Sequence, residues 1–319
     1  MPSVHVQGLS FPFTPLPRSI EEKEGKTLTQ SRNDAERAMQ YAAILKCPVC
    51  GGRFQAAGPR SLECIQRHTF DFAKQGYLNL MSRPVHSHYD KELFAARRSI
   101  IAESKLYAPM HDTIAQVIQS YAGAPAPASL VADMGCGEGS HLQGILRQLK
   151  SPERLGVGID LSKEAIRLAA RQEANALWIV SDLAHAPLQD QSVQVVLNLM
   201  SPANYGEFQR MVAPGGVVVK VVPGADYLRE LRASLYDGHE KRIYSNEKTV
   251  TLFRRHFPVM EVTPLKYRQQ LRAEQLRDLV RMSPLAWSAE QKRIMAFTQR
   301  EATEITIDVE ILVGHPGER

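Results

Sequence analysis

The 319-residue chain is poor in cysteine, with four in all, too few for the disulfide framework of a secreted scaffold. It lacks any uninterrupted apolar run near the ~18 residues that a membrane span needs. Its first thirty residues show no charged-then-apolar order of a secretion signal. These absences lead to the expectation of a cytoplasmic protein with no membrane partner. An excess of one charge is scarce too. Thirty-nine Lys and Arg against 34 Asp and Glu leave +5, which suits a nucleic-acid partner without requiring one. No internal repeat is visible. The length suffices for one main domain plus something smaller.

Three of the few cysteines nevertheless fall into a pattern. "LKCPVCGGRF" (45–54) carries Cys47 and Cys50, and after thirteen intervening residues "CIQRH" supplies Cys64 and His68. C-x2-C followed by C-x3-H offers the three thiolates and one imidazole that a tetrahedral zinc accepts. A hairpin spans the gap, with "RFQ" and "SLE" as strands and Ala57 to Arg60 as the turn. Gly51 and Gly52 permit the positive-φ turn that brings backbone N–H groups to the sulfurs. The spacing predicts a zinc site of Cys47, Cys50, Cys64 and His68.

Four regions follow from composition and periodicity. Residues 1–40, with Pro12, Pro15 and Pro17 before a charged stretch, form an extension read as flexible. Residues 41–84 form the zinc-binding module. Residues 85–129 form a helical connector, "KELFAARRSIIAES" and "MHDTIAQVIQSYA", closed by the linker "GAPAPAS". From 130 to 319 short apolar strands alternate with amphipathic helices, the pattern of a parallel sheet covered on both faces. Near the end, "TEITIDVEILV" alternates polar and apolar residues and reads as an antiparallel edge strand closing that sheet.

The first strand of this region runs into "VADMGCGEGSHL" (131–142), where Asp133 precedes Gly135, Gly137 and Gly139 and a helix follows. Glycines there let the backbone pass close under a ligand. A dinucleotide fingerprint would need glycine at residue 140, which is Ser. The second strand ends in Asp160, placed to accept from ribose hydroxyls, and the third runs into Asp182, placed to meet the exocyclic amine of adenine. Glu138 sits in the turn, where it meets either the cofactor or the helix N-terminus. Cys136 reads as a small buried residue. With the helix, Pro-Gly-Gly turn and strand of "EFQRMVAPGGVVVKVV", the ordered set resembles the S-adenosylmethionine-dependent methyltransferases of the seven-stranded Rossmann-like α/β class. Gln194 departs from the acidic residue common there; it reads as the start of a strand.

Together with the Cys3His module, "RHTFDFAKQGYLNLM" and "RMSPLAW" (281–287), this domain resembles the RlmA-type 23S ribosomal RNA guanine-N1 methyltransferases from about residue 45 onward. The resemblance implies S-adenosylmethionine and Zn2+ as cofactors and large-subunit ribosomal RNA as partner. It further implies that Gly137, Glu138, Tyr107 and Tyr227 meet the cofactor, although relatives carry His at the last position. Ligands bind beyond the carboxyl ends of strands in such sheets, so "NLMSPANYGEF" after the fourth strand offers Asn198, Ser201 and Asn204 to hold a base edge and Tyr205 to stack. Arg53, Arg60, Arg67, Lys74 and Arg83, with the pairs Arg97-Arg98 and Arg254-Arg255, are candidate phosphate-binding cations that read singly as solvated charges. Phe54, Phe70, Phe72 and Tyr77 read as packing, as does "RMSPLAW" around Trp287. Two rival readings stand: a small-molecule or protein methyltransferase stapled by zinc, and a non-catalytic RNA-binding protein. The residues name no general base and leave the oligomeric state open, a homodimer among the options.

Overall fold

A computed structural model describes residues 38–81, 90–121, 129–151, 153–172, 175–236 and 244–316. Most of the extension expected over 1–40, Arg83 and nearly all of the linker 123–129 lie outside the described residues. Residues 38–44 are helical.

The central strands are β5 (Leu130–Met134), β6 (Leu155–Asp160), β7 (Ala176–Val180), β8 (Val193–Leu199) and β9 (Val212–Pro223). Every residue of β5 and β7 is buried, as a parallel strand covered on both faces requires. Gln194 lies in β8 as expected. Helices α3 (Ser140–Leu149) and α4 (Lys163–Ala169) follow β5 and β6. In α3 the residues Leu142, Ile145 and Leu149 recur at helical spacing and are buried. The start of α4 is fixed by Ser162, whose side chain accepts from the Ala165 N–H at 3.3 Å.

Among the described residues the sheet has eight strands, seven of them from 130–319, in the order β10-β11-β9-β8-β5-β6-β7-β4. Strands β10 (Val259–Arg272) and β11 (Ala302–His315) pair along their whole length. The "TEITIDVEILV" strand is antiparallel as expected, but it lies inside the sheet between β9 and β10; β10 forms the edge. The alternation predicted one wet face, yet Ile305, Ile307, Val309 and Ile311 face one core while Leu312 meets another.

The eighth strand comes from the zinc module. That module holds a three-stranded antiparallel sheet of β1 (Phe54–Ala56), β2 (Ser61–Cys64) and β3 (Thr69–Asp71), in which the predicted hairpin pairs Phe54 with Cys64. Its last strand, β4 (Leu78–Asn79), leaves this sheet and runs parallel to β7, Leu78 opposite Ile179. A bridge between Leu45 and Leu188 ties the other end of the module to the same body. Phe54 and Tyr77 are buried, and Phe54 meets Phe70 edge-on at 5.6 Å, so these rings are packing as expected.

Helix α1 (Lys91–Arg98), continued by a π turn over Ser99–Glu103, brings Arg97 beside Gly137, and α2 (Ala108–Tyr121) packs on α3. Close approach of α2 to α3 depends on Gly144, since a Cβ there would lie 2.3 Å from the His111 ring. After β9 come α6 (Arg229–Leu235) and α7 (Glu247–His256), preceded by α5 (Tyr205–Met211). Helices α8 (Ala273–Met282) and α9 (Gln291–Thr298) lie between β10 and β11 in the chain.

Candidate active site and metal centre

In the module, the ligand atoms of Cys47, Cys50, Cys64 and His68 all lie within 4.8 Å of one another. Cys50 and Cys64 sulfurs are 3.6 Å apart, and the His68 Nδ1 is 3.6 Å from the Cys47 sulfur and 3.4 Å from that of Cys64. Ligands bonded to a tetrahedral zinc at about 2.0–2.3 Å stand roughly 3.3–3.8 Å apart, so the cluster fits the ion. Burial pushes the Cys47 thiol up to about 11. At Cys64 burial acts upward too, but backbone N–H groups of His68 and Gln66 outweigh it and bring the thiol down to about 7. The His68 N–H donates to the Cys64 sulfur at 3.3 Å, a hydrogen bond that would steady a metal-bound thiolate.

The second site is a cavity of about 990 Å³ at the carboxyl ends of the parallel strands. Gly135, Gly137 and Gly139 all take positive φ, and Gly135 is forced to be glycine twice over: a Cβ would lie 1.9 Å from the Ser201 Oγ. Asp160 accepts from the Gly137 N–H through one oxygen and from the Ser162 N–H through the other, both at 2.8 Å. Of the residues expected at the cofactor, Tyr107, Gly135, Gly137, Asp160, Asp182 and Tyr227 line the cavity. The hydroxyls of Tyr107 and Tyr227 meet at 2.6 Å, joining the connector to the loop after β9. Asp182 accepts from the Ala184 N–H, which leaves its second oxygen for a ligand.

Three of the expected residues stand behind this wall. Asp133 is buried, its Oδ1 without a partner among the described residues, and burial, reinforced by nearby Asp160, raises its carboxyl to about 7. Glu138 is buried and accepts from the Arg97 Nε at 2.8 Å, its second oxygen without a partner among the described residues. Gly139 faces Trp178, 2.4 Å from where a Cβ would stand, so it serves the packing of α3 on the sheet.

The zinc ribbon described as "RlmA, N-terminal" matches residues 45–91, and the family described as "Methyltransferase domain" matches 131–216. YxjB of Bacillus subtilis (strain 168), provisionally assigned as a 23S rRNA (guanine-N(1)-)-methyltransferase, is 39% identical over 274 residues, 85% of this chain and 97% of that one. The 23S rRNA (guanine(748)-N(1))-methyltransferase of Streptomyces fradiae is 34% identical over 244 residues, 76% and 85% of the two chains. The chain belongs to the 23S rRNA guanine-N1 methyltransferase family. Its cofactors are S-adenosylmethionine and zinc. The cavity fits the former through a glycine edge without side chains and the carboxylates of Asp160 and Asp182.

On the acceptor side this family member departs from the sequence expectation in several places. Only Ser201 of the three candidate base-holding residues lines the cavity. Asn198 is buried and donates to the Met134 and Pro202 carbonyls at 2.9 and 3.0 Å, bracing the loop instead. Asn204 caps α5, accepting from the Glu207 N–H. Tyr205 is buried among Phe208, Phe253 and Phe257 and is not free to stack on a base. Trp287, expected as a packing centre, is 57% exposed, while Met282, Ser283, Pro284 and Leu285 beside it line the cavity.

Other residues have roles that their surroundings in the sequence did not signal. Arg97 read as a solvated charge, yet its guanidinium lines the cavity beside Gly137. His141 lines the cavity too, and its Nδ1 lies 2.9 Å from the Nε2 of His111. Burial holds His141 well below the ordinary histidine range and His111 at about 4, so both rings are neutral. Lys220, brought down to about 8 by burial, donates to the Asn198 Oδ1 at 2.5 Å and to the Ser201 carbonyl at 3.2 Å. A lysine in a strand of valines was the one available signal.

Proposed function

We propose that this chain transfers a methyl group from S-adenosylmethionine to N1 of a guanine in 23S ribosomal RNA, in the cytoplasm, with its zinc module gripping the RNA. The observation that carries the reading is a cavity that joins the glycine turn, Asp160 and Asp182 to Ser201 and the 282–285 segment. No helix among the described residues is long and apolar enough to cross a membrane. We assign 41–84 to the zinc module, with Cys47, Cys50, Cys64 and His68 as ligands, 85–129 to the connector and 130–319 to the methyltransferase domain.

Bound S-adenosylmethionine supplies a methyl already activated on a sulfonium. The chain's work is to hold and orient. Asp160 keeps the glycine turn in place through the Gly137 N–H and has lone pairs left for ribose hydroxyls. Asp182 takes the adenine amine. Arg97, held by Glu138 through Nε, keeps its terminal amino groups for the methionine carboxylate. The joined Tyr107 and Tyr227 hydroxyls wall the methionine end. Lys220 and Asn198 fix the Ser201 turn, which faces the acceptor. Guanine N1 is paired within a duplex, so the acceptor base must come from a loop or be extruded.

The test is transfer of labelled methyl to rRNA from a strain lacking the gene, followed by mapping. Label at N1 of a 23S guanine is expected. Label in protein or a small molecule, with none in rRNA, would replace this reading with a rival.

A further inference from the structure

Two guanidiniums line the cavity, and their situations differ. Arg97 stands beside the glycine turn and is neutralised by Glu138. Arg232, on α6, has no such partner among the described residues. It is 5% exposed, its Nη2 donates to the Tyr227 carbonyl at 3.1 Å, and its Nε is buried without a hydrogen-bond partner among the described residues. Its Cζ sits 5.2 Å from the centre of the Tyr244 ring. A buried cation held, among the described residues, by a carbonyl and an aromatic face is costly, and a ligand that accepts from the end of the guanidinium lining the cavity would relieve that cost. Burial alone holds this guanidinium below the ordinary arginine range.

Position narrows the ligand. Arg232 shares its end of the cavity with Tyr236, Tyr244, Leu285 and Ser288, all beyond the general methyltransferase match at 131–216. This wall is rigid: the Tyr236 hydroxyl donates to the Leu285 carbonyl at 2.6 Å and lies 2.9 Å from the Ser288 Oγ. The cofactor's carboxylate already has Arg97 at the glycine end. What is left for Arg232 is a planar, acceptor-rich group entering from the acceptor side. Guanine presents O6 and N7 as a pair of acceptors that matches the guanidinium fork.

We infer that Arg232 is a catalytic residue that binds the O6 edge of the target guanine and stabilises the charge placed on O6 when N1 loses its proton. The inference rests on the proposed function. In the step it assists, the N1 proton passes to water and the N1 lone pair forms the new N–CH3 bond. The carbon–sulfur bond breaks with its electron pair kept by sulfur, which becomes neutral. A fixed positive charge at O6 favours the deprotonated base, so less alkaline solution suffices for transfer. Among the described residues the titratable groups lining this end are Tyr227, Tyr236 and Tyr244. Burial raises Tyr227 and Tyr244 above the ordinary phenol range, and no described carboxylate acts on Arg232.

The experiment measures single-turnover methylation of a 23S rRNA fragment between about pH 6 and 9.5, with calorimetric affinity for S-adenosylmethionine, in wild type, Arg232→Met and Arg232→Lys. Lys220, at about 8, titrates within this window in all three proteins and so cancels in the comparison. Arg232→Met is expected to bind cofactor within about twofold of wild type, to slow transfer at pH 7 at least ~100-fold, and to need higher pH for its rate to level off. Arg232→Lys, which keeps the charge but not the fork, should fall between the two, and it decides the matter if the methionine variant does not fold. A tenfold loss of cofactor affinity would move Arg232 to the methionine carboxylate and overturn the inference. So would slower variants whose pH profiles superimpose on that of wild type. Failure of the wild type to methylate guanine N1 would instead overturn the proposed function.

Discussion

Gly135 shows how little room separates the glycine turn from the loop that carries Ser201. Gly135→Ala would put a methyl group into the Ser201 hydroxyl and hold a side chain at φ +88°. A fall in S-adenosylmethionine affinity of at least ~tenfold, about 1.4 kcal/mol, is expected by calorimetry; unchanged affinity would place the ligand elsewhere. Asp133 gives a pH signature. Its carboxyl is raised from 3.8 to about 7, chiefly by burial. Below the lower value it is protonated in both folded and unfolded chains. Between the two values only the unfolded chain releases the proton, so its contribution to stability is lost as pH rises toward 7. The melting temperature of the cofactor-free wild type should therefore fall relative to Asp133→Asn between pH 4 and 7.5. A constant difference would contradict the burial assigned to this carboxyl. Among single residues, those that met a demanding geometry were readable in advance. Cys47, Cys50, Cys64 and His68 declare themselves because a metal fixes their spacing, and the glycines because only they take the turn. Arg97 and Arg232 were not readable, since a half-buried or buried arginine is spelled like an exposed one and differs only in what the fold lays over it.

At the scale of elements, the continuous apolar runs of β5 and β7 announced a parallel sheet, and the hairpin of β1 and β2 followed from its turn. β4 escaped notice because two residues carry no periodicity. The interior place of β11 was hidden by helix α9 before it and by the partial exposure of its first residues. β4 joins the metal-binding module to the main sheet. Cys64→Ser should reduce zinc from one ion per chain to near none, measured by atomic emission. It should also lower the melting temperature by at least about 5 °C, because the module cannot bury enough surface alone. A variant that keeps its zinc would remove Cys64 from the ligand set. One that loses zinc without loss of stability would show that β4 stays paired unaided.

Across the whole molecule the net charge is only +5, so grip on RNA depends on where cations stand. Arg53, Arg60 and Arg67 are exposed on the module, and Arg60 also donates to the Ala73 carbonyl at 2.8 Å. Replacing them together by Gln, Gln and Asn, the last suited to the positive φ of Arg67, should leave cofactor binding intact. Affinity for rRNA fragments should drop, and its dependence on salt should become shallower by ~0.7–0.9 for each phosphate no longer neutralised. A variant with full zinc and an unchanged salt slope would leave the module as a staple only. The same module has a second part to play through its two-residue strand. β4 covers the carboxyl end of β7 at Ile179 and Val180, on a strand whose five residues are all buried. A chain short of metal would uncover apolar backbone with unpaired N–H and C=O groups, which is a template for strand addition by neighbouring copies. Scarcity of zinc during synthesis would then be felt first as insoluble protein, before any shortage of RNA binding became visible.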